Sequence, residues 1–346
     1  MNKKTVKIGQ IAVIYMGTVV GAGFASGQSI MQFFTLYGAF GGAGILLTTL
    51  LFMWFGTRLM VLSHRIKAFS YQDLNNYLFG KFFGKVANIL TFFILLGVTA
   101  VMLSGTGSIF AEQLGLPYQL GIVISIVLSF LVMTKEIHGI LAVNALVVPL
   151  MLFFTCIIAF DVVDMESITR TTDWQERQLT QWNWLVSPIT YAALNFAFVQ
   201  AVMVPLASET EDERVLKWGG FWGGIGLGFM LLISHFSINS KMPGILQFDI
   251  PMAEIIRGAG SFLYGVFIMV IFGEIFTTLV GNIFGIARQI RSVYPLPTNW
   301  VVLATLLICF AISQAGFTSL LTYLYPLFGY TGMIFLAFLA FKRLPA

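Results

Sequence analysis

Two short segments hold the residues whose types and spacing could do chemistry. The first, Gly17-Thr-Val-Val20-Gly21-Ala22-Gly23-Phe24-Ala-Ser-Gly27-Gln28, sets four glycines inside an apolar run. In hydrocarbon every backbone amide and carbonyl needs a partner, so unwound backbone persists at membrane depth only against protein, water or a bound solute. The segment therefore predicts a helix broken part-way across the bilayer. Amides opening the second half, around Ala22 to Phe24, would carry partial positive charge and suit a carboxylate; carbonyls closing the first half would suit a cation. The competing reading is close helix packing, with Gly17 and Gly21 at four-residue spacing on one face and Gly23 and Gly27 on a second. The second segment, Glu274-Ile-Phe-Thr277-Thr278, carries the one carboxylate expected to be buried deep within a predicted span. Spacings of three and four put Glu274, Thr277 and Thr278 on one helical face. A charged side chain in lipid costs about 2.5 kcal/mol or more, so such a residue is a functional candidate. Two hydroxyls and a carboxylate suit a hard cation or a titrating proton. The structural alternative is a Glu bonded to backbone freed elsewhere.

The elements that must position these groups follow from composition. Hydrophobic residues make up 58% of the chain, charged residues 10%, and the mean hydropathy is +0.88. Soluble domains carry about 25% charged residues, whereas here the charges fall between apolar runs of bilayer-crossing length. These runs do not alternate as transmembrane strands do. The expected fold class is all-α, a polytopic membrane protein with ten spans: 8–36, 41–63, 86–114, 118–134, 139–160, 187–207, 219–240, 260–287, 301–312 and 319–341. With the N-terminus inside, 15 of the 19 Lys and Arg residues fall on the inner side and 4 (Arg170, Arg177, Lys241 and Arg257) on the outer side. That asymmetry supports an even span count, both termini cytoplasmic and a cell-membrane location. Lys3, Lys4 and Lys7 before an apolar run resemble a secretory signal, but cleavage would remove the glycine-rich segment, and retention is the expectation. The net charge of +4 reflects topology; no basic stripe with stacking aromatics points to nucleic acid.

The polar stretch 161–186, expected outside, divides a single domain, 1–346, into five-span halves at 8–160 and 187–341. Five is odd, so two halves of one fold would be related by inversion, as in many secondary transporters, with the first helix of each half discontinuous around a midplane site. That points to the first and sixth spans. The sixth contains no glycine; Asn195, beside Phe198, and Gln200 are its polar groups, and Pro205 can free a carbonyl near Ala201. Asn195 bonded to a neighbouring helix is the bland alternative. His235 reads as an interfacial histidine or a proton relay, and Glu209, Glu211, Asp212 and Glu213 as a solvated inner face. Trp174, Trp182 and Trp184 suit the outer interface. Cys156 and Cys309 lack metal-ligand spacing and read as small core residues. No Lys follows the glycines as a nucleotide-binding loop requires, and the three histidines are dispersed.

The first segment and the Thr277-Thr278 pair resemble the first and eighth helices of the LeuT-fold transporters, the amino acid, polyamine and organocation superfamily. The layout of the whole chain, with Ser70-Tyr71-Gln72-Asp73 on an inner loop, is similar to the YkvI-like bacterial membrane proteins. The resemblance implies a secondary active transporter, not an enzyme, with no organic cofactor and with Na+ or H+ as coupling ion. It implies that the carbonyls of Gly17, Val20 and Glu274 and the hydroxyls of Thr277 and Thr278 form a sodium site. It also implies a small-molecule substrate, an amino acid, whose carboxylate meets the amides of Ala22 and Gly23; Gly21, Phe24, Asn195 and Phe198 complete the expected substrate site. Two departures stand out. Sodium-coupled relatives carry a small residue where Glu274 stands, which raises proton coupling, and Phe24 replaces an Asn-bearing continuation, which argues against a further sodium site. A non-transporting sensor that keeps the pocket is the alternative within the same fold.

Overall fold

The computed structural model describes residues 3–133, 147–158 and 182–345. Within them the chain is helical, without strands. The glycine-rich first span is divided into α1 (Lys3–Val19), α2 (Ala22–Ser26) and α3 (Gln28–Phe33), followed by a 3-10 turn, Thr35–Tyr37. The long helices are α4 (Ala39–Arg65), α5 (Tyr71–Ser108, continued by a π turn, Ile109–Gln113), α8 (Asn183–Glu209), α9 (Glu213–Ser240), α11 (Ser261–Val293) and α13 (Phe317–Phe341). All six are long and apolar enough to cross a membrane. Shorter apolar helices α6 (Tyr118–Met133), α7 (Val147–Ile158) and α12 (Thr298–Ser313) complete the spans, and α10 (Pro251–Ile256) lies in the α9–α11 connection. Each expected span thus meets a helix, although the first residues of 139–160 lie outside the described residues. So do most of the 161–186 stretch, with Trp174, Arg170 and Arg177, and Lys135 and His138.

The expectation of a second broken helix is corrected. α8 runs unbroken from Asn183 to Glu209 despite Pro188 and Pro205. Its centre is built from Ala, Leu and Val with no glycine to open the coil, and its polar side chains turn back onto their own helix. Asn195 Nδ2 donates to the Tyr191 carbonyl at 2.8 Å and Gln200 Nε2 to that of Ala197 at 2.9 Å. Bonds of this kind satisfy polar groups in place without unwinding.

Helix ends are set locally. Ser70 and Asp73 form a capping box at the start of α5, the Ser70 amide donating to Asp73 Oδ2 at 3.0 Å. Asp212 caps α9 by accepting from the Arg214 amide at 2.9 Å. Lateral packing relies on small residues, which let helices approach where no hydrophobic effect drives them together. Tyr15, fully buried, donates its hydroxyl to the Phe52 carbonyl at 3.0 Å, and its ring fills the space left by Gly56 of α4 and Gly223 of α9. A Cβ on Gly224 would stand 2.6 Å from the Met53 backbone nitrogen. α1, α4 and α9 are thereby locked into one slab.

Backbone cannot retreat as a side-chain tip can, so Gly224→Val should cost about 3 kcal/mol, the upper range for overpacking. Gly9→Val, in open space, should leave the melting temperature in detergent near that of the wild type; equal melting of both variants would contradict this account of the slab.

Candidate functional site

The break between α1 and α2 is two residues long, Val20 and Gly21, and every residue from Met16 to Ile30 is buried. The Val20 amide closes the α1 ladder on the Met16 carbonyl at 2.8 Å. Gly21 is extended (φ −117°, ψ −166°), and its carbonyl starts the next turn by accepting from the Ala25 amide at 2.8 Å. The groups freed between these turns find partners on other helices. Thr278 Oγ1 of α11 donates to the Val20 carbonyl at 2.9 Å, and the Ala22 amide points to Met102 Sδ of α5 at 3.1 Å. A thioether is a weak acceptor. Gly27 (φ 89°) then redirects the chain between α2 and α3, in the left-handed region that glycine enters without steric cost.

Beside the break lies a small enclosed cavity of about 10 Å³, on the order of one water molecule. Four of the residues expected at the substrate site line it: Gly21, Phe24, Asn195 and Phe198. Val19, Ser29, Tyr191, Leu194 and Tyr325 complete the wall, which contains no charged side chain. Ala22 and Gly23 stand one step back, Ala22 turned to Met102 and Gly23 packed on Tyr325, whose Cε2 would be 2.7 Å from a Cβ there. Tyr191 is held by edge-on contact with Phe34, ring centroids 5.1 Å apart.

The expected ion ligands are only partly assembled. Val20 and Thr278 meet directly. Thr277 Oγ1 donates within its own helix to the Glu274 carbonyl at 2.9 Å, and Gly17 is buried one turn before the break. Glu274 is 0% exposed, and neither carboxylate oxygen has a hydrogen-bond partner among the described residues. Rotating the Thr278 hydroxyl hydrogen away from Val20 would turn both oxygens toward a cation. No cluster of three or more His, Cys, Asp or Glu side chains fit for a metal occurs among the described residues. His235 is fully buried and has a hydrogen-bond partner, its Nδ1 lying 3.1 Å from Thr35 Oγ1, where it braces the 3-10 turn away from the cavity.

The two ends of the bundle differ. At the Lys4 end a cleft of about 770 Å³ separates the start of α1 (Lys4, Lys7, Gln10, Ile14) from the end of α8 (Leu206, Glu209). Lys4 reaches across it to Asp212 at 2.9 Å, and this ammonium holds the Asp212 carboxyl below the usual carboxylate range. The pair is largely exposed and contributes little to stability. At the opposite end the α9–α11 connection covers the bundle. Asp249 accepts from Ser108 Oγ at 3.0 Å and from the Thr318 hydroxyl, and Gln28 Nε2 donates to the Phe248 carbonyl at 2.6 Å. Hydrogen bonds thus tie a cover over one end of the bundle, and a cleft opens at the other.

The membrane protein YkvI of Bacillus subtilis is 41% identical to this chain over 336 residues, 97% of this chain and 96% of that one. The chain belongs to the YkvI family. YyaD of the same organism is 26% identical over 92% of this chain and 91% of its own length. Among solved structures, that of MhsT in complex with L-phenylalanine superposes with a TM-score of 0.73 at 13% identity, covering 95% of this chain and 87% of that one. A Na+-coupled sialic acid symporter, bound to substrate and outward-open, gives 0.66 at 17% identity over 97% and 79%. These likenesses establish the LeuT fold. No family model matches the chain.

In this YkvI-family chain, sequence reasoning missed Tyr191, Tyr325, Ser29 and Met102. Two tyrosines deep in apolar spans, Tyr325 directly before Pro326, were an available signal, because a buried hydroxyl wants a polar neighbour. Met102 carried none; a methionine in an apolar helix looks like any other core residue.

Thr278→Val keeps the branched shape but leaves the Val20 carbonyl without this donor in a dry interior. We expect a loss of about 1–3 kcal/mol, read as a lower melting temperature in detergent. Thr277→Val, whose bond lies within one helix turn, should cost less; the reverse order would mean that the break is held by other groups.

Proposed function

We propose that this protein is a secondary active transporter of a small solute, an amino acid in the first instance, driven by Na+ or H+ through alternating access. The observation that carries the reading is the buried break at Val20–Gly21, opening onto a cavity between helices of a LeuT-fold bundle. Unwound backbone at that depth is tolerated where it lines a site. The wall combines aromatic surface with the Tyr191, Tyr325 and Ser29 hydroxyls and the Asn195 amide, and carries no net charge. It favours a neutral or zwitterionic solute over a polyamine or an acid. In this reading Gly21, Ala22, Gly23, Phe24, Asn195 and Phe198 bind the substrate, and its carboxylate displaces Met102 from the Ala22 amide. The cavity must widen to admit it, which fits a site that opens and closes in a cycle.

In this reading the coupling ion is held by Gly17, Val20, Thr277, Thr278 and Glu274, of which Val20 and Thr278 already meet. A carboxylate buried without partners is costly when charged, so Glu274 rests with a proton or a cation on it, and exchange of that charge for solute movement is the energetic link. The fold would then act as one domain of 346 residues with related halves at 8–160 and 187–341. It would lie in the plasma membrane with the Lys4 cleft facing the cytoplasm, in keeping with the distribution of positive charge.

Solute counterflow in proteoliposomes, across a panel of amino acids with sodium and pH gradients imposed separately, tests the reading. Glu274→Gln should abolish uptake driven by a pH gradient while leaving solute exchange at equilibrium. Undiminished pH-driven uptake would remove Glu274 from coupling. Saturable binding with no counterflow for any panel member would instead favour a receptor that keeps the pocket.

A further inference from the structure

A recess of about 710 Å³, separate from the break and walled by amides and lysines together with the apolar Phe82, Ile89 and Val293, opens where the start of α5 meets the end of α11. Its construction begins at Gly80 (φ 79°, ψ 173°), in a region open essentially to glycine. This residue turns Tyr71–Phe79 out of line with the rest of α5. Gly84 lets the two arms close, since a Cβ there would lie 2.8 Å from the Asn76 Cα. The amides of Gln72, Asn76, Asn88 and Gln289 line the recess together with two lysines, Lys81 and Lys85. The floor is ordered in advance: Asn75 Nδ2 donates to Asn88 Oδ1 at 2.9 Å, and Gln289 Nε2 to the Asn88 carbonyl at 3.2 Å. Asn88 and Gln289 are both at least nine-tenths buried.

The charge of the recess is one-sided. Neither Lys81 nor Lys85 makes an ion pair among the described residues, and no carboxylate lines the recess. Next to it the surface changes to bare hydrocarbon. Phe82 (75% exposed) and Phe83 (66%) flank the lysines, and Ile89 and Phe93, both 57% exposed, continue down the same helix. Phe82, Phe83, Val86, Ile89, Leu90 and Phe93 recur at spacings of three and four, one outward stripe of a helix. Cations at the head of an apolar stripe, with amides behind them, match a lipid: a phosphate at the lysines, headgroup hydroxyls at the amides, an acyl chain along the stripe.

We propose that this recess binds an anionic phospholipid whose headgroup carries hydroxyls, and that the bound lipid braces α5 against the end of α11. The inference does not depend on the transport reading, because it concerns a surface away from the break. Native mass spectrometry and thermal melting of the full chain in detergent test it, with dioleoylphosphatidylglycerol and dioleoylphosphatidylcholine as probes. Phosphatidylglycerol should be retained and should raise the melting temperature; phosphatidylcholine should do neither. Lys81→Gln with Lys85→Gln should weaken phosphatidylglycerol retention roughly 25-fold, each interfacial lysine contributing a factor of about five. The paired Lys→Arg changes should preserve it. Lys4→Gln with Lys7→Gln, which removes equal charge from another face, should leave it unchanged. Equal loss in both glutamine pairs, or equal retention of the two lipids, would overturn the proposal. Stabilisation by glycerol 3-phosphate matching that by the intact lipid would overturn it too, by assigning the recess to a soluble phosphate ester.

Discussion

The structure turns on a requirement that water normally relaxes: inside the bundle no peptide group can be left without a partner. α1 stops at Val19 and α2 starts at Ala22, so the groups between them must be answered by side chains from elsewhere. They are answered unequally. The Val20 carbonyl receives a hydroxyl from Thr278, a good donor at 2.9 Å, whereas the Ala22 amide faces only the sulfur of Met102. A carbonyl with a hydroxyl beside it is already half of a cation site. An amide on a thioether is an amide waiting for a better acceptor, since sulfur returns much less than an oxygen would. In the reading proposed for this protein, the two halves of the break take opposite charges, in the sense expected from helix ends.

How much of this was legible in the sequence depended on whether a residue's role was local. The glycines Gly17, Gly21, Gly23 and Gly27 betray themselves because their conformational effect needs no neighbour, and the break does fall at Val20–Gly21, inside that run. Glu274, Thr277 and Thr278 stand out by type and helical spacing. The helices that meet the ten expected spans are readable because hydropathy and length act residue by residue. α8 was misjudged for the opposite reason. Symmetry suggested a break, but its local chemistry, Ala-rich and free of glycine, favoured a continuous coil that Pro188 and Pro205 do not interrupt. The partner of His235 was not legible either, since its contact with Thr35 depends on α9 passing behind the 3-10 turn. Tyr191, Tyr325 and Met102 come to the cavity from α8, α13 and α5, and only tertiary packing makes them neighbours.

Small residues sort the helices into bodies. Glycine contacts tie α1 to α9 and α4 through Tyr15, α9 to α4 at Met53, and α4 to α8 where Gly44 meets Pro188. Each of these meets backbone or a buried ring at close range, so the group resists shear as a packed core does. By the same measure α11 meets α8 where Gly285 packs on Ala201, and α13 meets the α8 backbone at Gly329 and Gly332; the partners of the break come from α5 and α11. Met102 belongs to α5 and Thr278 to α11, and a Cβ on Gly21 would touch both, at 3.0 and 3.2 Å. The unwound residues therefore lie on the seam between α1 and the two helices that answer them, α5 and α11.

A contact on such a seam senses displacement of α1 relative to α5 and α11 without any further device. The Val20–Thr278 contact is a single hydrogen bond, and hydrogen bonds weaken steeply once geometry departs from the ideal. A shift of about an ångström between α1 and α11 would pull these oxygens apart or let a cation between them, while the slab itself stayed rigid. The seal at the far end uses the same partition. Asp249 bonds Ser108 of α5 and Thr318 of α13, and Gln28 of α3 bonds the Phe248 carbonyl of the same connection. One covering segment thus reports to elements from both sides of the seam. In the reading proposed for this protein, alternating access needs no flexible hinge within the slab: a bound cation draws Val20 and Thr278 to a common centre, and the tie that Gln28 makes from the second half of the broken helix carries that change to the cover.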